Sequence, residues 1–137
     1  MIALDACAAV ELFIAPAAAL SSEIRKRING RHLVVPAHFD YEVSHTIRQL
    51  WLAQKIEQNV AAACVSQLTV LAADRVPLAD LLPRAWELRH NAYIGDGLYL
   101  ALGEDLDIPL VTTDAKMSGV SGSRCRVDWV SISPDQR

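Results

Sequence analysis

The chain has 137 residues, 52% of them hydrophobic and 21% charged, which is enough for one domain with a sizeable core and excludes a disordered or collagen-like polypeptide. Thirteen basic against sixteen acidic side chains leave a formal net charge of −3. That balance excludes a protein that holds nucleic acid by overall positive charge, so any such contact needs a local basic patch or bound cations.

In chain order, Ile2-Ala3-Leu4 is a short apolar run, followed by a helical stretch from about Ala8. A second helix follows Pro16, whose fixed φ suits a first turn, and Asn29-Gly30 supplies its stop. Leu33-Val34-Val35, bounded by Gly30 and Pro36, reads as a buried strand. Val43, Ile47, Leu50 and Trp51 recur at helical spacing and predict an amphipathic helix from Ala37 to about Gln54. Another helix is expected over Glu57 to Leu71, and a short strand over Arg75 to Leu78. Leu81, Leu82, Ala85 and Trp86 form one stripe on a helix ending near His90. A brief helix is expected after Asp96, then a strand over Leu110 to Thr113 closed by Asp114, and a last strand over Val127 to Ile132.

No repeat or linker divides the chain, so a single domain over residues 1–137 is expected. No apolar run approaches the roughly 18 residues of a membrane helix. The opening lacks a charged region before Ile2, and Asp5 interrupts it, so it does not read as a signal peptide. Cys7, Cys64 and Cys125 are odd in number and show no zinc spacing, so three reduced thiols in the cytoplasm are expected.

Strands separated by helices predict an α/β fold with a mainly parallel central sheet. Ligands of such sheets gather outside the carboxyl ends of the strands, where Asp5 and Asp114 directly follow apolar runs. Asp96, between Gly95 and Gly97, and Glu42, bordering the stripe of its helix, are two further acids of interest. Taken singly, Asp5, Asp96 and Asp114 suit helix caps or loop starts, and Glu42 a half-exposed surface acid. Together in one crevice they would raise one another's pKa and persist by binding divalent cations. An all-oxygen donor set suits Mg²⁺ or Mn²⁺ rather than zinc, and metal-assisted phosphodiester hydrolysis uses such a site. Among the basic residues, Lys116, two beyond Asp114, is the one expected to meet a substrate phosphate.

Four blocks carry a family resemblance: Leu4-Asp5-Ala6-Cys7-Ala8, Pro36 through Glu42-Val43, Asp96-Gly97-Leu98-Tyr99-Leu100-Ala101-Leu102, and Pro109-Leu110-Val111-Thr112-Thr113-Asp114. In this order and spacing they resemble PIN-domain proteins of the VapC toxin type, from residue 1 to about residue 117. The resemblance implies a three-layer fold with four or five short strands flanked by helices. It also implies a Mg²⁺- or Mn²⁺-dependent endoribonuclease acting on single-stranded or loop RNA, usually a homodimer, held inactive by a cognate antitoxin. By position, Asp5, Glu42, Asp96 and Asp114 match the family's metal-binding acids, and Thr112 its catalytic hydroxyl residue. Cys7 stands where Ser is usual and Gly97 where Ala is usual.

Two other readings compete. A PIN-like module could bind RNA or protein without cleaving, although all four acids are present. Glu42-x-x-His45 and Glu87-x-x-His90, with Glu11 and Glu57, follow the order of a di-iron helical bundle. That bundle would leave the predicted strands without a role, and Glu87 points away from its helix's apolar stripe.

Overall fold

The computed structural model describes residues 1–136. Its centre is a five-stranded sheet in the order β3-β2-β1-β4-β5, with every neighbouring pair parallel. The strands are β1 (Ile2–Leu4), β2 (Leu33–Pro36), β3 (Ala73–Val76), β4 (Leu110–Thr112) and β5 (Val127–Trp129). Every residue of β1, β2 and β4 is buried, whereas the edge strands β3 and β5 are partly open. This is why the central strands are continuous apolar runs and the edge strands carry Asp74, Arg75 and Asp128.

The helices are α1 (Ala6–Ile14), α2 (Ala19–Ile28), α3 (Phe39–Leu52), α4 (Gln58–Thr69), α5 (Leu78–Glu87) and α6 (Ile94–Leu106). Right-handed crossovers fix their placement. The chain steps one way from β1 through β2 to β3, which puts α1 to α4 on one face. It then returns across β1 to β4, which puts α5 and α6 on the other. Packing agrees: α1 meets α2, α3 and α4, while α6 lies on β1, β2 and β4 with α5 against it. The three-layer expectation is met, and no helical di-iron bundle exists among the described residues. The Glu87 side chain is 65% exposed.

Several boundaries differ from the sequence reading. Helix α1 begins at Ala6, since Asp5 leaves the sheet directly into it. Gly30 adopts φ +71° just beyond α2, as its stop signal predicts. Strand β3 lies two residues earlier than expected, because Val34 to Pro36 pair with Asp74 to Val76. The last strand stops at Trp129 instead of reaching Ile132, because its partner β4 has only three residues to offer. The helix after Asp96 is not brief: α6 spans thirteen residues and starts at Ile94. Its segment from Gly97 to Gly103 is buried throughout, so it is a core helix with no polar face to mark its ends. The Leu81, Leu82, Ala85 and Trp86 stripe is split, with Leu81 and Ala85 buried and Leu82 and Trp86 exposed.

Candidate active site

The return of the chain across β1 makes the gap between β1 and β4 the switch point of the sheet, where successive connections leave in opposite directions and open a crevice. Asp5 ends β1 and Asp114 lies two residues beyond β4, so both acids stand at this gap. The pairing of Leu4 with Val111 and the bond from the Asp5 N–H to the Val111 carbonyl (2.9 Å) hold the two chain segments in step.

Thr112 ties the acids together. Its hydroxyl donates to Asp5 Oδ2 at 2.7 Å and accepts the Asp114 N–H at 3.0 Å. Asp5 precedes α1 but its side chain caps nothing. Asp114 does accept the Lys116 N–H, at 3.0 Å. Cys7 lies beside this pair, its thiol donating to Asp5 Oδ2 at 3.2 Å and lying 3.3 Å from Thr112 Oγ1. Burial and the Asp5 charge push that thiol up to about 11, so it stands protonated at neutral pH.

Asp96 enters from the opposite layer. It occupies the first turn of α6, where Tyr93 is the capping residue, so the carboxylate is free of cap duty. Burial raises its pKa, and the charges of Asp5, Asp114 and Glu42 raise it further, while Lys116 opposes them. Burial likewise raises Asp5, against the hydrogen bonds from Thr112 and Cys7.

Glu42 behaves differently. Burial works against its charge, yet hydrogen bonds from His38 and Tyr99 outweigh this and hold its carboxyl below the usual value. Tyr99 donates to Glu42 Oε1 at 2.8 Å, and His38 Nε2 lies 3.1 Å from the same oxygen. His38 Nε2 also lies 3.1 Å from the Gly95 carbonyl. Both neighbours are acceptors, so Nε2 carries the hydrogen. Gly95 lies against these groups, where a Cβ would sit at ordinary contact distance, 3.4 Å, from Glu42 Oε2.

The sequence reading missed His38 and Tyr99. His38 was within reach, being one helical turn before Glu42; Tyr99 is 57 residues away and only the folded chain presents it. Thr112, expected from the resemblance as a catalytic hydroxyl, has that hydroxyl bonded to Asp5 and to the Asp114 backbone.

The chemistry of the donor set fits a hard divalent cation. It is all oxygen, it is partly desolvated, and the charges of Asp5, Asp114 and Glu42 add to burial in raising the Asp96 pKa. Among the described residues, no three acidic, histidine or cysteine side chains already form a closed ligand set.

Residues 2–122 match the family model described as PIN domain. Ribonuclease VapC12 of Mycobacterium tuberculosis is 36% identical over 131 residues, which cover 96% of this chain and all of that protein. This chain belongs to the VapC-type PIN-domain family. Ribonuclease VapC1 of the same organism is 35% identical over 103 residues, 74% of each protein. The fold is also that of Mycobacterium tuberculosis VapC20, described as a Sarcin-Ricin loop cleaving toxin. That match has TM-score 0.64 and 18% identity, and it covers 92% of this chain and 99% of VapC20. VapBC2 from Rickettsia felis, solved with a promoter DNA fragment, aligns with TM-score 0.68 and 11% identity over 96% of this chain and the whole of the matched one.

Proposed function

We propose that this VapC-type PIN domain is an endoribonuclease toxin that cuts single-stranded or loop RNA by divalent-cation-assisted hydrolysis at the crevice between β1 and β4. The supporting observation is the convergence of Asp5 and Asp114 from the sheet with Asp96 from helix α6, where burial first and then the charges of Asp5, Asp114 and Glu42 raise the Asp96 pKa. Like charges so placed are stable when a cation joins them. Asp5, Asp96 and Asp114 would hold Mg²⁺ or Mn²⁺, with Glu42 completing the site. The bound cation supplies an activated water and charge neutralisation at the phosphate.

The chain's own groups do the rest. Thr112 fixes the Asp5 carboxylate and the Asp114 backbone relative to each other. His38 and Tyr99 hold Glu42 ionised, with one oxygen engaged and the other open to orient a water molecule. Lys116, exposed and close enough to Asp96 to be felt by it, is placed to meet a substrate phosphate. An acidic crevice of this kind also suits an antitoxin that offers a basic side chain to the carboxylates, and the family association makes a cognate antitoxin and a homodimer the expected partners.

The test is cleavage of mixed RNA by the purified protein with Mg²⁺ or Mn²⁺, beside Asp96→Asn. Cleavage by the parent and a loss of at least about a hundredfold in the variant are expected, in line with loss of a group acting on the transition state. RNA binding without cleavage by a folded, cation-loaded protein would overturn the nuclease reading in favour of a PIN-like binding module.

A further inference from the structure

An open cleft of about 420 Å³ adjoins the acidic crevice, between the loop joining α5 to α6 and the 3₁₀ turn at Ala115–Gly119. Asp96 forms part of its wall, and Arg89, His90, Tyr93, Lys116 and Met117 are among the other residues that line it. Its volume is within the range of about 300–1,000 Å³ usual for small-ligand pockets.

Two features mark the cleft. The first is Tyr93, a residue 82% exposed, more so than the other exposed aromatic residues Tyr41 (67%) and Trp86 (59%). It precedes α6 directly, three residues before Asp96. The second is its cations. Arg27, Arg75, Arg84 and Arg126 each meet a carboxylate. Arg89 and Lys116 have no such partner among the described residues, a property they share with Arg25, Arg31, Arg48 and Lys55, and they are the two that lie in this cleft. Arg89 is nonetheless fixed, its guanidinium 4.6 Å from the Trp86 ring centre and donating to the Trp86 carbonyl at 2.9 Å. The loop itself is braced, since Asn91 Nδ2 donates to the Ser121 carbonyl at 3.0 Å.

We propose that this cleft is a subsite for one unpaired nucleotide of the RNA substrate, with its base stacked on Tyr93 and its flanking phosphates met by Arg89 and Lys116. The inference rests on the nuclease reading and adds to it how the strand is held. An exposed aromatic ring beside unpaired cations is the arrangement that binds single strands, because every base has a face to stack and every linkage a charge to meet. A base paired in a duplex cannot enter, so the subsite selects unpaired RNA. The nucleotide held here adjoins the linkage presented to Asp96.

The experiment is fluorescence anisotropy of a short labelled single-stranded RNA of randomised sequence, in EDTA so that binding is read without cleavage. Tyr93→Ala should weaken binding about tenfold and Tyr93→Phe should restore it. Lys116→Ala and Arg89→Ala should each flatten the salt dependence by roughly 0.7 in the logarithmic slope, which Tyr93→Ala leaves unchanged. With an abasic strand of equal length, the parent and Tyr93→Ala should bind alike. Unchanged binding by Tyr93→Ala, or an equal loss on intact and abasic strands, would overturn the subsite while a cleaving parent left the nuclease reading standing. A folded parent that neither binds nor cleaves RNA would overturn both.

Discussion

The Thr112 hydroxyl serves two acids at once, donating to Asp5 and accepting from the Asp114 backbone. Thr112→Val keeps the shape but removes both bonds in a fully buried place. It should lower kcat/KM about 10- to 100-fold and cost about 1–3 kcal/mol of stability, whereas Thr112→Ser should keep most of both. Steady-state cleavage and thermal melts check this. The raised pKa of Asp5 and Asp96 gives a pH dependence with a definite sign. Cation binding needs the ionised carboxylates, so affinity falls on acidification at a pH above the ordinary aspartate value of 3.8. Stability without metal runs the other way. A carboxyl raised in the folded state contributes its full stability below 3.8 and loses it as pH rises through the folded value. At neutral pH the Asp5 charge therefore destabilises the metal-free fold, and Asp5→Asn should raise its melting temperature. Melts in EDTA should show that gain at neutral pH and show it shrinking toward pH 3.8.

Helix α6 decides how the acids meet. It is buried along most of its length, and its first turn delivers Asp96 to the crevice from the layer opposite α3. The α5–α6 contact allows this through Gly97: a Cβ there would lie 3.3 Å from the Ala85 Cα, Cβ and carbonyl oxygen. In an isolated helix Gly→Ala gains up to about 1 kcal/mol. Here the added methyl meets backbone that cannot rotate away, so overpacking of about 1–3 kcal/mol should prevail. Gly97→Ala is expected to lower the melting temperature, and adding Ala85→Gly to recover part of the loss. If Gly97→Ala alone raised the melting temperature, the close approach would not be what fixes α6. The apolar stripe of α5 teaches a related lesson. Its periodicity is real, yet α6 covers only the Leu81 and Ala85 side, and Leu82 and Trp86 are left outside.

At the scale of the molecule, the switch between β1 and β4 brings Asp5 and Asp114 to one opening, where the proposed cation would bind. The expected signature is linkage: Mn²⁺ at about a hundred times its Kd should stabilise the fold by about 2.7 kcal/mol. Asp5→Asn and Asp96→Asn should each diminish that rise in melting temperature. A melting temperature indifferent to millimolar Mn²⁺ in the parent would refute a shared site.

The central strands, the amphipathic helix with Glu42, and the acids placed just after apolar runs were all readable from residue order. A strand buried on both faces must be a continuous apolar run, and it must end where the chain leaves the sheet, so Asp5 and Asp114 announce themselves locally. The four family blocks added Thr112 by position and joined Asp96 and Glu42 to the other two acids. Which strands are neighbours is another matter. That β1 lies against β4, so that Asp5 and Asp114 share an opening, follows from the order in which the whole chain packs. The clamp of His38 and Tyr99 on Glu42, the exposure of Tyr93 and Trp86, and the true length of α6 likewise depend on how helices rotate against the sheet. Hydrophobic periodicity records that a face is covered, but not by what, and contacts across 57 or 107 residues exist only once the layers close.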